Sequence, residues 1–168
     1  MPSLQLLMRL PFRLYFLALS VLCAAELCFG VLYLQGVKGL EPCPMCVMQR
    51  YALLGVGLVA LVAAIHNRIP RIYGALVALA ALAGGGVAVR QSWLQLNPPA
   101  VSECGPDLEF MLDSFPLTEL LPKLFRGAGD CSAVDWTFLG LSIANWALVT
   151  FTGIIIATLW MILRRPPR

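Results

Sequence analysis

Residues 41–50 read Glu-Pro-Cys-Pro-Met-Cys-Val-Met-Gln-Arg and run directly into an apolar segment long enough to cross a membrane. Cys43 and Cys46 form a Cys-x-x-Cys pair, and Arg50 follows Cys46 by four positions. Between residues 45 and 65 this arginine is the only charged side chain. The cysteine pair and the arginine therefore lie at the N-terminal end of a predicted transmembrane helix.

The composition is that of an integral membrane protein. Of the 168 residues, 60% are hydrophobic and 12% are charged, and the mean hydropathy is +0.82, which excludes a soluble globular domain. A spanning helix needs about 20 apolar residues. We predict an all-α membrane protein, a four-transmembrane-helix bundle that forms a single domain over residues 1–168. The four apolar segments lie at about residues 14–34, 45–65, 72–89 and 139–163.

The first apolar segment follows Arg9 and Arg13, an arrangement that also begins secretory signal peptides. Its apolar run continues to Leu34 without the small-residue cleavage site that closes a short signal core, so we expect it to remain as a transmembrane helix. The same segment carries Glu26 near mid-membrane, where a bare carboxylate is costly. This side chain is expected to be protonated, hydrogen-bonded inside the bundle, or functional.

Arginine placement predicts the orientation of the bundle. Eight of the nine acidic residues fall within about 35–44 and 90–138, so these two segments are predicted to be the outward loops. The positive-inside rule places both termini in the cytoplasm. The net charge of +3 indicates no nucleic-acid partner. The arginines on the predicted cytoplasmic side, with no acidic residue among them, are Arg9, Arg13, Arg68, Arg71, Arg164, Arg165 and Arg168.

Four of the six cysteines lie in or beside the outward loops, Cys43 and Cys46 with the first loop and Cys104 and Cys131 with the second. Disulfides persist outside the cytosol, so this placement indicates two disulfides or two exchangeable dithiols. A tight Cys-x-x-Cys loop is more typical of redox chemistry than of a structural staple, because one of its thiolates is stabilised by its surroundings.

Two other interpretations of the cysteines stay open. A disulfide-stapled membrane scaffold would use the bridges only to fasten its loops. A metal-binding bundle would use the thiolates as ligands, although Cys104 and Cys131 are far apart in sequence and His66, the only histidine, lies on the predicted cytoplasmic side. We therefore assign no metal ligand.

Arg50 is expected to lie on the same helix face as Cys46 and one turn deeper. A fixed guanidinium there would favour the Cys46 thiolate and attract electron density that develops on an oxidant beside the sulfur. The alternative is an arginine that only anchors the helix at the interface. The chain has no dinucleotide-binding glycine pattern, haem motif or iron-sulfur spacing, so elimination favours a lipid-soluble two-electron acceptor, a quinone.

The second outward loop is long for a compact bundle, and long ordered loops are usually functional. Apolar residues recur at helical spacing between about 117 and 125, which predicts a short helix on the membrane surface. In the third span, Gly84, Gly85 and Gly86 indicate close helix packing, with a cleft for a flat ligand as the weaker alternative.

A family resemblance covers nearly the whole chain and rests on three stretches. They are Pro42-Cys43-Pro44-Met45-Cys46 followed by Arg50, Leu94-Gln95-Leu96 before the prolines, and Gly129-Asp130-Cys131 followed by Trp136-Thr137-Phe138-Leu139-Gly140-Leu141. With these stretches the sequence resembles the bacterial disulfide bond formation protein B (DsbB) family, quinone-reducing thiol oxidases of the inner membrane. An enzyme similar to vitamin K epoxide reductase would share the chemistry, but a cysteine pair between the first two spans fits DsbB better.

The resemblance implies a relay of electrons along the cysteines. A reduced DsbA-like protein, a periplasmic thioredoxin-fold oxidant, would attack Cys104 of a Cys104–Cys131 disulfide. Cys131 would then attack Cys43, and Cys46 would be released as a thiolate beside ubiquinone or menaquinone from the membrane pool, aided by Arg50. Both loops would be periplasmic, and the chain would lie in the bacterial inner (plasma) membrane among its lipids.

One position departs from the family pattern. Family members often carry a histidine beside the quinone, just before the Leu-Gln-Leu stretch, and here that position is Gln91. A glutamine can hydrogen-bond a quinone carbonyl, so Gln91 joins Arg50 and Cys46 as an expected cofactor-binding residue. It cannot donate a proton with the acidity of a histidine.

Overall fold

The computed structural model describes residues 11–98, 131–132 and 134–163. Within these residues it contains four helices long and apolar enough to cross a membrane, which confirms the predicted fold class. The first helix, α1, covers Phe12–Cys28 and continues as a π-helical segment over Phe29–Val37. The other three are α2 at Pro44–His66, α3 at Pro70–Leu96 and α4 at Ile143–Leu163. The predicted surface helix and Cys104 lie outside the described residues.

The bundle core forms where each helix packs against its neighbour, α1 on α2, α2 on α3 and α3 on α4. One large side chain from each helix is buried there: Phe16, Val56, Val77 and Phe151. The opposite faces carry exposed apolar side chains, which suits a helix surrounded by lipid rather than water. Examples, one per helix, are Leu32, Ile65, Leu79 and Ile156.

Local sequence explains where α2 and α3 begin and end. Pro44 and Pro70 occupy the first turn of their helices, where the missing N–H costs nothing. Asn67 ends α2 in the left-handed conformation, with φ of 47°, and its backbone N–H donates to the Ala63 carbonyl at 2.9 Å. The α3 helix extends beyond the predicted residue 89 to Leu96, so Gln91 lies on a helix and not in the outward loop.

The π-helical segment extends α1 into residues 35–37, which the sequence placed in the first outward loop. Its wide turns are seen where the Lys38 backbone N–H donates to the Tyr33 carbonyl, five residues earlier, at 3.0 Å. Gly39, with φ of +66°, then turns the chain out of the helix. The extension places Gly30 and Gln35 on one continuous helix, and the Arg50 side chain of α2 donates hydrogen bonds to both residues.

A small β-hairpin precedes the last helix. The strands β1, Thr137–Phe138, and β2, Leu141–Ser142, pair antiparallel around a two-residue turn. Leu139 and Gly140 both have positive φ, 52° and 81°, as a type I′ hairpin turn requires. The fourth span was expected to begin at about residue 139. The hairpin delays α4 to Ile143, because apolar content alone does not distinguish a hairpin strand from the start of a helix.

Gly84 shows how closely α3 approaches its neighbours. A Cβ atom at this position would collide with the ring of Phe151 on α4 and would lie 2.8 Å from the Ala52 Cβ on α2. At Gly86, by contrast, a Cβ atom would meet nothing within 4 Å. The glycine run therefore serves helix packing, as predicted, and Gly84 is the member of the run that requires it.

Candidate active site

The cysteine pair sits at the start of α2. Cys43 caps the helix, and its Sγ accepts a hydrogen bond from the Cys46 backbone N–H at 3.3 Å. The two sulfurs lie 2.7 Å apart, so a movement of less than about 1 Å would bring them to disulfide distance. The helix start thus fixes both sulfurs on one short stretch of backbone.

Cys131, which precedes the hairpin in sequence, lies against the cysteine pair. It is 1% exposed and packs with Met45 and Leu94, and Cys43 borders the same cluster. Hydrogen bonds with Cys131 and then with Cys46, together with burial, raise the pKa of the Cys43 thiol above its ordinary value. Three of the four predicted redox cysteines therefore converge, and Cys43, which hydrogen-bonds the other two, is the one whose pKa is raised.

Gln91 on α3 faces the two sulfurs of the pair. Its Nε2 lies 3.3 Å from Cys43 Sγ and 3.2 Å from Cys46 Sγ, in position to donate to both. Its Oε1 accepts a hydrogen bond from Gln49 Nε2 at 2.7 Å. Both glutamine side chains are buried, 3% and 6% exposed. Gln91 was expected to bind the cofactor, but its amide nitrogen already contacts the two sulfurs and its amide oxygen already accepts from Gln49.

Arg50 lies one turn below Cys46, as expected, but its hydrogen bonds connect α2 to the end of α1. Nη1 donates to Gln35 Oε1 at 2.9 Å, and Nη2 donates to the Gly30 carbonyl oxygen at 3.0 Å. Both acceptors belong to the π-helical segment. The guanidinium is therefore held by a backbone carbonyl and by an exposed glutamine side chain, contacts that a side chain that only anchors the helix at the interface would not need.

A cavity of about 1220 Å³ opens beside these groups and is lined by all four helices and the hairpin. Cys46, Arg50 and Gln91 contribute polar groups to its wall. Aromatic side chains form another part of the wall, and several pack ring to ring, with Phe29 and Tyr33 stacked at 5.1 Å and Trp136 nearly parallel to Phe138. Such a mixture suits a flat, largely apolar ligand with polar oxygens.

Glu26 lines the same cavity, and its Oε1 accepts a hydrogen bond from Thr150 Oγ1 of α4 at 3.0 Å. Of the roles considered for this membrane-buried acid, hydrogen bonding inside the bundle is therefore the one observed.

Sequence reasoning missed Gln49 and Gln35. Each is a polar residue in a membrane-spanning helix, and such residues often face the bundle interior, as Gln49 does. That signal was sufficient to find Gln49, which lies three positions after Cys46 and so on the same helical face. Gln35 could not be found in this way, because the sequence placed it in a loop.

Comparison with known proteins gives consistent matches along most of the chain. The family model described as Disulfide bond formation protein DsbB matches residues 12–161. A protein of Azoarcus sp. (strain BH72) named "Disulfide bond formation protein B" is 58% identical over 161 residues, covering 93% of this chain and 95% of the relative. Proteins of the same name from Aromatoleum aromaticum and Acinetobacter baylyi are 60% and 45% identical, covering 91% and 81% of this chain and 93% and 82% of the relatives.

Proposed function

The chain belongs to the disulfide bond formation protein B (DsbB) family of membrane disulfide oxidases, and we propose that it re-oxidises a periplasmic DsbA-like thioredoxin-fold protein and passes the electrons to a membrane quinone. The observation that carries the proposal is the meeting of the Cys43 and Cys46 sulfurs with buried Cys131, at the wall of a large cavity that Cys46 and Arg50 line.

The reaction begins outside the membrane. A thiolate of the reduced partner attacks Cys104 of a Cys104–Cys131 disulfide, and Cys131 leaves with the electron pair of the broken bond. The second partner thiolate then attacks the partner's own sulfur in this mixed disulfide, which releases the partner with an internal disulfide and leaves a Cys104 thiolate. The partner thus loses two electrons, and its two protons pass to solvent.

Cys131 then attacks Cys43 of the Cys43–Cys46 disulfide, and Cys46 leaves as a thiolate. The attack on Cys43 matches the geometry, because Cys131 hydrogen-bonds that sulfur, while both sulfurs of the pair line the cavity. Gln91 Nε2 stabilises the charge on Cys46. Attack of the Cys104 thiolate on Cys131 re-forms the Cys104–Cys131 disulfide and leaves Cys43 and Cys46 reduced.

Electrons leave the chain when the Cys43–Cys46 disulfide forms again. A bound ubiquinone or menaquinone would supply the oxidising capacity by taking up two electrons and two protons. The cavity fits such a group, since its wall combines aromatic rings with the Arg50 guanidinium, which has further N–H donors that can face a ring oxygen.

The proposal includes an orientation in the bacterial inner membrane. Arg13, Arg68 and Arg71 lie at the ends of α1, α2 and α3 opposite the cysteine pair. By the positive-inside rule that end is cytoplasmic, so the cysteines face the periplasm, where disulfides persist.

Turnover of purified protein tests the proposal, with a reduced thioredoxin-like partner as donor and a soluble quinone analogue as acceptor. We expect quinone reduction by the native chain and its loss in Cys43→Ser, Cys46→Ser, Cys104→Ser and Cys131→Ser. The matched control is Cys28→Ser, which alters a cysteine of α1 outside the relay and should keep the native rate. Native rates in all four relay variants would contradict the proposal and favour a scaffold whose disulfides only fasten its loops.

A further inference from the structure

We propose that Gln49 is a positioning residue that fixes the Gln91 carboxamide with its nitrogen, and not its oxygen, facing the Cys43 and Cys46 sulfurs. The inference deepens the proposed function and rests on it only in assigning electron transfer to this cysteine pair. Gln49 contacts neither sulfur in the hydrogen bonds described, so it would act entirely through Gln91.

A carboxamide has two unlike ends, a nitrogen that donates two hydrogen bonds and an oxygen that only accepts. With the observed orientation, Gln91 directs N–H groups at both sulfurs, at 3.3 and 3.2 Å. The reversed orientation would direct its carbonyl oxygen at them and would repel a thiolate. The direction of this one amide therefore decides whether the site stabilises or opposes negative charge on sulfur.

Gln49 determines that direction through its 2.7 Å hydrogen bond to Gln91 Oε1. If Gln91 alone reversed, two NH2 groups would face each other. Water cannot compensate readily, because the two side chains are only 6% and 3% exposed. The two amides are therefore coupled, and Gln91 keeps its nitrogen towards the sulfurs as long as Gln49 directs its own Nε2 at Gln91 Oε1.

The arrangement stabilises a thiolate without a group that titrates near neutral pH. A neutral carboxamide keeps its donors across the physiological range, whereas an imidazole gains or loses a proton there. Stabilising the reduced pair makes its disulfide a stronger oxidant. Gln49 and Gln91 together are thus expected to raise the reduction potential of the Cys43–Cys46 pair.

The test is the equilibrium of the Cys43–Cys46 pair with glutathione, in quinone-free Cys104→Ser/Cys131→Ser protein, where no other described or predicted relay thiol can exchange with it. We expect Gln91→Leu to shift the equilibrium about tenfold towards the disulfide, which corresponds to about 30 mV. Gln49→Leu should shift it in the same direction by about threefold, roughly half that voltage. In the Gln91→Leu background, Gln49→Leu should add nothing further.

Gln49→Glu provides a second, stronger variant. At a pH high enough to ionise it, the introduced carboxyl group can only accept, so it would pair with Gln91 Nε2 and turn the carbonyl oxygen towards the sulfurs. Its shift should exceed that of Gln49→Leu. The same substitution in the Gln91→Leu background reports the effect of the added charge alone, which is then subtracted.

Thr158→Val is the matched control, because it removes another hydrogen bond of 2.7 Å, to Tyr15, at the opposite end of the bundle. It should leave the potential unchanged. No shift in Gln49→Leu, or an equal shift with and without Gln91, would overturn the inference. Because neither quinone nor partner is present, these results are independent of whether the turnover test of the proposed function succeeds.

Discussion

Arg50 donates to the backbone carbonyl of Gly30 at 3.0 Å, and this contact joins the helix that carries the cysteine pair to the π-helical end of α1. The second branch of the guanidinium reaches Gln35 at 2.9 Å. The guanidinium of Arg50 at the cavity wall thus donates to two acceptors from a different helix.

Arg50→Lys should weaken quinone binding. A lysine ammonium group cannot donate to both the Gln35 and the Gly30 oxygens in the geometry of the planar guanidinium. Hydrogen bonds to charged groups contribute about 1.5–3 kcal/mol, so we expect KM for a quinone analogue to rise about tenfold or more. Steady-state kinetics at saturating partner measures this. Gln35→Leu removes one acceptor and leaves the charge, so its effect should be smaller, and an equal effect of both substitutions would contradict the assignment.

Gln91→His should give quinone reduction a new dependence on pH. An imidazole can gain or lose a proton near neutral pH, whereas the native carboxamide does not titrate. We expect the ratio of variant to native turnover to change with pH between about pH 5 and 8. A ratio that is flat throughout would show that the side chain at position 91 does not act on the reaction.

Cys43 should be slow to alkylate in the reduced protein, since its pKa is raised by the hydrogen bonds with Cys131 and Cys46 and by burial. Iodoacetamide reacts with the thiolate, so at pH 8 the rate should be at least about tenfold below that of the same cysteine in the denatured chain. Tandem mass spectrometry distinguishes Cys43 from Cys46 within one peptide. Cys131→Ala, which removes the largest cause of the shift, should increase the rate, whereas Cys131→Ser keeps a hydrogen-bonding group and should change it less.

The same shift predicts how the stability of the reduced protein depends on pH. Folding raises the pKa of Cys43, so the folded chain binds this proton more tightly than the unfolded chain. Its contribution to stability is fully present below the unfolded pKa of about 8.5 and is lost as the pH rises above that value. Thermal unfolding of reduced protein should therefore show a fall in Tm above about pH 8.5 that is smaller in Cys43→Ala.

Gly84→Ala should destabilise the bundle by about 1–3 kcal/mol, because the added methyl group would collide with Phe151 and lie 2.8 Å from the Ala52 Cβ. Gly86→Ala is the matched control two residues along the same helix. Its methyl group would meet nothing within 4 Å, so it should be neutral or slightly stabilising. Thermal unfolding in detergent compares them, and equal Tm values would contradict the packing described here.

The transmembrane helices could be predicted from sequence because apolar length alone sets them, and Pro44, Asn67 and Pro70 mark their ends by local backbone chemistry. The hairpin could not, since Leu139 and Leu141 are as apolar as the helix that follows them. The π-helical extension was missed for a related reason, because Gly36 and the polar residues beside it are typical of a turn.

At the site, the Cys43–Cys46 pair and Arg50 could be predicted because their spacing within one helix determines their relation. The contact of Gln91 with the sulfurs depends on the register of α3 against α2, which is set by packing at positions such as Gly84 and not by local sequence. The pairing of Gln49 with Gln91 required the same register. Cys104 and the predicted surface helix lie outside the described residues and stay predictions.

The most direct test of the central claim is a single turnover of Cys104→Ser/Cys131→Ser protein whose Cys43–Cys46 pair has been reduced beforehand. On addition of a quinone analogue, absorbance should report one quinol per chain, and mass spectrometry should find the Cys43–Cys46 disulfide formed in the same amount. The result follows because this pair holds the two electrons that the acceptor takes. A pair that stays reduced, with no quinol formed, would contradict the account.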